Sequence, residues 1–131
     1  MAGPLQSLDY IYTPSSDVPR DLDYFEEVLG AEVVFAIDGM GTRVAMIRFG
    51  QGAPLLLADH LKGDVPILVY RVAGLRPAIS ELEGRGWQRG RMIELPSGSA
   101  CSFEAPGGQR IAIYEASRPF VVESFAGRRD F

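Results

Sequence analysis

Residues 8–12, LDYIY, form an apolar run that is answered by residues 66–70, PILVY. The glycine that ends the helical pattern after the first run, Gly30, is answered in the same way by Gly86. The offset of about 57 residues is too long for a solenoid unit and too short for an independent domain. The sequence therefore predicts two half-domains that share one fold.

Both halves show the same order of one strand, one helix and three further strands. In the first half, residues 14–17 supply turn and capping side chains, and apolar residues then recur at helical spacing up to Gly30. In the second half, a helix is predicted over residues 75–83. Turns rich in glycine and proline, one of them at residues 39–41, separate the strand-like runs. The predicted strands are 8–13, 32–37, 43–49 and 54–59 in the first half, and 65–72, 87–95, 100–104 and 109–115 in the second.

Length and charge exclude several classes of partner. The chain has 131 residues and is 47% apolar, which suits one domain over residues 1–131. With 13 basic and 17 acidic residues, its net charge of −4 offers no field for nucleic acid or an anionic membrane. No apolar run approaches the length of a membrane span, and the first residues lack the pattern of a leader peptide. We therefore expect a cytoplasmic protein without nucleic-acid or membrane partners.

Two motifs support a family resemblance. The first is LDYI at residues 8–11, followed by DYFEEVLG at residues 23–30; the second is FEAPGGQRIAI at residues 103–113. In this order and at the repeat spacing, they resemble the vicinal oxygen chelate superfamily. That superfamily includes glyoxalase I, extradiol dioxygenases, fosfomycin-resistance enzymes and bleomycin-resistance proteins. The resemblance covers about residues 7–116 and implies an α+β fold, in which two βαβββ modules form a cupped mixed sheet with helices on its outer face.

The resemblance also divides the chain into segments. It implies a first module of about 7–62 and a second of about 65–116, with a C-terminal arm over 117–131. The arm carries apolar residues that need cover, which either their own domain or a second subunit would supply.

The metal positions of the superfamily are the next implication of the resemblance. In metal-dependent members, donors on the first and last strands of each module converge on a divalent ion. The matching positions here are Tyr10, Leu56, Ile67 and Ala112, and only the phenol of Tyr10 is even a marginal ligand. We therefore predict that the chain has no metal centre and no cofactor.

The same positions imply which side chains face the pocket. Alternation along the strands adds every second residue to that face. The resulting set is aromatic, small and sparsely charged, as in a site for a partly apolar ligand, although the same side chains would also fill a collapsed core. The predicted pocket residues are Tyr10, Tyr12, Leu56, Ala58, Ile67, Val69, Arg71, Arg110, Ala112 and Tyr114.

The opposite face of the same strands is expected to pack beneath the two helices. Its side chains are almost wholly apolar, which supports the assignment of the two faces. The predicted helix-facing residues are Ile11, Leu55, Leu57, Leu68, Tyr70, Val72, Ile111 and Ile113.

A few single residues carry chemistry of their own. Arg71 alternates with Ile67 and Val69 along the predicted strand and is therefore expected on the pocket face. Its guanidinium suits a carboxylate or phosphate. Glu94 or Glu104, if buried among apolar neighbours, would have a raised pKa and serve as a general base. The only histidine, His60, lies beside a turn and is expected either in solvent or at the pocket mouth, and Cys101 is expected to pack as a small hydrophobe.

Together, these observations predict a metal-independent small-molecule binding protein of the glyoxalase/bleomycin-resistance type, acting as a homodimer that sequesters an antibiotic or a metabolite. No catalytic residue is identified. The alternative is a divergent lyase, isomerase or dioxygenase of the same superfamily, with a displaced metal or a carboxylate acid/base. A protein-interaction module is a third hypothesis, which requires an exposed C-terminal arm and a filled cup.

Overall fold

A computed structural model describes residues 3–39 and 41–131. Met1 and Ala2 lie outside this description, as does Met40, which belongs to the predicted turn at residues 39–41. The order of strand, helix and three strands occurs twice, so the predicted α+β class and the repeat are confirmed. The elements are β1 (Ser7–Pro14), α1 (Val18–Asp23), β2 (Glu32–Gly39), β3 (Thr42–Arg48), β4 (Leu55–Ala58), β5 (Ile67–Val72), α2 (Leu75–Gly84), β6 (Arg91–Leu95), β7 (Gly98–Glu104), β8 (Arg110–Glu115) and α3 (Pro119–Glu123).

The chain divides into two compact units. Unit 1 contains Met1–Asp9 and Ile67–Ser124, and unit 2 contains Tyr10–Pro66 and Phe125–Phe131. Each unit therefore combines one repeat with a short segment from elsewhere in the chain. None of the helices within the described residues has the length and apolarity that a membrane span needs.

Unit 2 contains the first repeat. Strand β4 pairs with β1 in parallel and with β3 in antiparallel, and β3 pairs with β2. Helix α1 begins at Asp17, whose carboxylate accepts the backbone N–H of Arg20 at 3.2 Å. The helix buries Val18 and Leu22 against a core that includes Ile47.

The end of the first helix departs from the helical spacing that the sequence predicts up to Gly30. Residues Tyr24–Val28 form a π-helical turn, in which Leu29 N–H donates to the Tyr24 carbonyl at 3.2 Å. The wider turn ends at Gly30, whose φ of 76° is readily adopted by glycine. A single wide turn at the end of a short helix involves too few residues to change the apolar pattern, so the sequence does not distinguish it from an α-helical end.

Unit 1 contains the second repeat. Strand β8 pairs with β5 in parallel and with β7 in antiparallel, and β7 pairs with β6. Helix α2 packs on Val72, Cys101 and Ile113. Cys101 is fully buried in this cluster, as predicted for a small apolar side chain.

The cores confirm the predicted helix-facing set for the residues that they contain. Leu55 and Leu57 pack in the core with α1, and Tyr70, Val72 and Ile113 pack in the core with α2. Each of these side chains therefore lies on the face that period-two alternation assigned to it.

The last seven residues of the chain pair with the outer edge of β2. Gly127 N–H donates to the Val34 carbonyl at 2.9 Å, and Asp130 N–H donates to the Ala36 carbonyl at 2.7 Å. Arg129 donates from Nη2 and Nη1 to the Glu26 carboxylate, at 2.7 and 3.0 Å. These contacts pack residues 125–131, the end of the predicted arm, on unit 2, where they cover a strand edge that is otherwise open to pairing.

Deletion of residues 125–131 is expected to lower the free energy of unfolding by about 2–4 kcal/mol, because the arm supplies several backbone hydrogen bonds and packs Phe131 on the core of unit 2. Denaturant unfolding checks this. The matched control, Arg129→Ala, removes only an exposed ion pair and should have a clearly smaller effect. Equal unfolding midpoints for the deletion and the wild type would contradict the proposed role of the arm.

Candidate functional site

The face of unit 1 opposite α2 carries the predicted pocket residues of the second repeat. In the parallel pairing of β5 with β8, Ile67, Val69 and Arg71 are aligned with Arg110, Ala112 and Tyr114 in turn. Since aligned residues on neighbouring strands share a face, these six side chains lie together, away from the face on which α2 packs. The sequence therefore groups these residues correctly.

A polar cluster lies at one end of this face. Arg71 Nε donates to Asp9 Oδ2 at 2.7 Å, and the Tyr114 hydroxyl donates to the same oxygen. Ser7 Oγ donates to the other carboxylate oxygen at 2.6 Å. Asp9, which the sequence analysis did not select, is thus the common acceptor of the Asp9–Arg71–Tyr114 cluster.

The charges in this cluster stabilise one another. Burial raises the pKa of Asp9, but the hydrogen bonds from Ser7, Tyr114 and Arg71 outweigh it and leave the pKa below its ordinary value. The hydrogen bonds to Asp9 and Tyr114 raise the pKa of Arg71. The cluster therefore holds an ionised pair at neutral pH.

Exposure within the cluster is uneven. The Tyr114 side chain is buried, whereas 47% of the Arg71 side chain is exposed. The cluster thus holds the guanidinium through Nε and leaves about half of the Arg71 side chain accessible to an anionic or carbonyl oxygen.

The other end of the same face borders a small cavity of about 240 Å³. Ile67 and Arg110 line it together with Glu104, which is aligned with Arg110 in the pairing of β7 with β8. Between this cavity and Arg71 lie the buried side chains of Val69 and Ala112. The face therefore has polar groups at both ends and an apolar middle.

The predicted pocket residues of the first repeat lie in unit 2. Tyr12 is aligned with Leu56, and Leu56 with Met46, across β1, β4 and β3. Leu56, Ala58 and Met46 are buried. The sequence does not mark Met46 as a pocket residue, because the run that contains it has the pattern of an ordinary buried strand. The pairing of β3 with β4 places Met46 beside Leu56.

Tyr10 and Tyr12, the two tyrosines of this face, are each partly exposed as whole residues. Burial of the phenol raises the pKa of Tyr12 to about 12, and the neighbouring Tyr10 raises it as well. Tyr12 is therefore neutral at physiological pH, and its hydroxyl can donate or accept a hydrogen bond but does not act as a base.

Comparisons of the whole structure identify the architecture. The scan against family models finds no match, and the search of curated proteins finds none either. Among solved structures, methylmalonyl-CoA epimerase from Mycobacterium tuberculosis matches with a TM-score of 0.72 and 17% identity over 92% of this chain and 94% of the other. The chain has the vicinal oxygen chelate fold.

Further solved structures show the same similarity. A hypothetical protein from Bacillus halodurans matches with a TM-score of 0.70 and 14% identity, over 83% of this chain and 93% of the other. A variant Streptomyces coelicolor methylmalonyl-CoA epimerase, in complex with 2-nitronate-propionyl-CoA, matches with a TM-score of 0.68 and 14% identity, over 86% and 96% of the two chains. At these identities, the similarity establishes the fold and not an activity.

The metal centre implied by the vicinal oxygen chelate fold does not fit the residues at its positions. Leu56, Ile67 and Ala112 present hydrocarbon side chains that are buried, and Tyr10 alone bears an oxygen. Within residues 3–39 and 41–131, no group of three or more His, Cys, Asp or Glu side chains is arranged to hold a metal ion. The donor set at these positions is therefore unsuited to a divalent ion.

The remaining candidate acid/base residues lie in solvent. Glu94 is 68% exposed and contacts Ser99 at 3.1 Å and Arg118 at 3.4 Å. Glu104 and His60 are also exposed. The burial on which a general-base role for Glu94 or Glu104 depends is absent at both residues.

Asp9→Asn is expected to lower the free energy of unfolding at pH 7 by about 1–2 kcal/mol, because it weakens charge-assisted hydrogen bonds to a half-exposed arginine. Folding lowers the pKa of Asp9, so its contribution is fully present above the unfolded pKa of about 3.9 and is lost as the pH falls through the folded pKa. The difference between wild type and variant should therefore shrink below about pH 4.

Urea unfolding at a series of pH values measures this difference, with Asp64→Asn in an exposed turn as the matched control. If the free energies of unfolding of the wild type and Asp9→Asn differ by the same amount from neutral to strongly acidic pH, the carboxylate charge does not stabilise the cluster.

Proposed function

We propose that this chain is a metal-independent small-molecule binding protein of the glyoxalase/bleomycin-resistance type. The observation that carries the proposal is the Asp9–Arg71–Tyr114 cluster, which lies on the same sheet face as Ile67 and Ala112, two of the positions that lack metal donors. An oriented guanidinium on this face supplies the polar recognition that a metal ion would otherwise provide.

The ligand class follows from the side chains of the face. The accessible part of Arg71 suits a carboxylate or phosphate oxygen, because a guanidinium donates two parallel hydrogen bonds to such groups. Ile67, Val69 and Ala112 offer an apolar surface beside it, and Arg110 lines the cavity at the far end. We expect a partly apolar or aromatic molecule with at least one acidic group.

Tyr10, Tyr12, Leu56 and Ala58 are the residues of the first repeat that we propose to bind a ligand. Their two phenols and two aliphatic side chains suit an aromatic portion of a ligand. The biological role that we infer is sequestration of an antibiotic or a metabolite by a cytoplasmic homodimer.

The enzyme alternative is less well supported by the side chains present. A lyase, isomerase or dioxygenase of this superfamily requires a displaced metal or a carboxylate whose pKa is raised. The pKa of Asp9 is lowered, which makes its carboxylate a weak base, and Glu94 and Glu104 are exposed. Binding without chemistry is therefore the better supported function.

A thermal-shift screen tests the proposal with aromatic carboxylates, phosphate esters and glycopeptides, each in the presence and absence of EDTA, followed by calorimetric titration of each hit. We expect Arg71→Gln to weaken a hit by about tenfold, the cost of one charge-assisted contact. The matched control, Arg20→Gln, changes an exposed arginine of α1 and should leave the affinity unchanged.

Two outcomes would overturn the binding proposal. The first is that every hit binds Arg71→Gln as tightly as it binds the wild-type protein. The second is tight, stoichiometric binding of zinc, nickel or manganese that is required before any hit binds.

The homodimer has its own measurement. Multi-angle light scattering at micromolar concentration should give twice the mass of the chain, because binding proteins of the superfamily build ligand clefts at subunit interfaces. A monomer mass that persists in the presence of a ligand would exclude the dimer and leave the single-chain site to be tested by Arg71→Gln.

A further inference from the structure

Helix α2 leaves part of the sheet of unit 1 uncovered. Met92, Cys101 and Ile113 are aligned in one row across β6, β7 and β8. Cys101 and Ile113 are fully buried in the core with α2, whereas Met92 on the edge strand is 49% exposed. The helix therefore covers the inner two strands of this row and leaves a groove above the third.

This groove, which we call the α2 groove, is a cavity of about 900 Å³ in unit 1. Leu75 and Ile79 lie one turn apart on α2 and line it with buried side chains, and Met92 lines it from β6. The volume is within the range of small-molecule sites, about 300–1,000 Å³. The groove thus offers an apolar surface that an aliphatic chain or an aromatic ring would fill.

Two arginines also line the α2 groove. Arg76 makes no ion pair and no side-chain hydrogen bond with any residue in the described part of the chain. Arg89 lies 3.7 Å from Glu83, and both of these side chains are about half exposed, so that solvent screens their attraction. The groove therefore has cationic groups that its own unit does not neutralise strongly.

Among the described residues, Glu115 is the carboxylate that lines the groove, and it has another partner. Glu115 Oε1 accepts the backbone N–H of Leu75 at 2.9 Å and so caps the start of α2, where Gly74 has no side chain for this purpose. The charge of Glu115 is directed at the helix terminus. The remaining polar groups of the lining are the hydroxyls of Ser80 and Ser99.

We propose that the α2 groove is a second ligand site, on the opposite face of the sheet from Arg71, and that it binds an amphipathic carboxylate. Arg76 and Arg89 bind the carboxylate, and Leu75, Ile79 and Met92 contact its apolar tail. Apolar surface together with charged donors selects an anion with a hydrocarbon tail over either an inorganic anion or a neutral hydrocarbon.

Decanoate is the probe, titrated by calorimetry and by the NMR signal of the Met92 methyl group. Acetate and decanol are the matched controls, since acetate lacks the tail and decanol lacks the charge. We expect decanoate to bind at one site per chain and to shift the Met92 signal, and both controls to bind at least about tenfold more weakly.

Three variants locate the site. Arg76→Gln and Arg89→Gln together should weaken decanoate by about tenfold or more, because each removes a charge-assisted contact. Met92→Glu, at an exposed position, should reject decanoate by placing a negative charge beside the tail. The control is Arg91→Gln, which removes one positive charge on the opposite face of β6 and should leave the affinity unchanged.

The proposal is overturned if decanoate does not bind, if decanol binds as tightly, or if Arg91→Gln weakens binding as much as the double variant. It is also overturned if decanoate binding is lost in Arg71→Gln and retained in the double variant, since the anion would then occupy the Arg71 face. Circular dichroism and thermal unfolding of each variant confirm that the fold is intact.

Discussion

The parallel pairing of β5 with β8 is the constraint on which both candidate sites depend. Its register aligns Arg71 with Tyr114 on one face. The alternating residues Val72 and Ile113 lie on the other face, where α2 packs. A register shift of one residue would exchange the faces of a strand, burying a guanidinium and exposing the apolar core. The same backbone hydrogen bonds therefore hold the core together and orient the groups proposed to bind ligands.

Most of this arrangement is predictable from period-two patterning. The apolar side chains of the helix-facing set leave few alternatives for the other face, so Arg71, Val69 and Ala112 are grouped correctly without coordinates. The repeat adds the order of elements. The ends of strands are less well predicted: β6 begins at Arg91 rather than at residue 87, and Trp87 packs against Phe103 before the strand starts.

The residues that sequence reasoning missed depend on contacts between distant parts of the chain. Asp9 lies in an apolar strand next to a predicted pocket tyrosine, and its partner Arg71 is 62 residues away. A charged residue in a strand must be solvated, paired or functional. Applied to every predicted strand, this rule selects Asp9 as well as Arg71. The arm is different. Its pairing with β2 joins Asp130 to Asp38 across 92 residues, and no local pattern specifies it.

The two faces of the unit 1 sheet differ in how their arginines are neutralised, and this difference predicts what each face binds. The charge of Arg71 is already neutralised by the ionised Asp9. A ligand on this face is therefore oriented by hydrogen bonds from the guanidinium more than it is attracted by a net positive charge. Arg76 has no such partner in the described part of the chain, so an anion in the α2 groove meets an uncompensated charge. Affinity at the groove should therefore fall more steeply with salt than affinity at the Arg71 face.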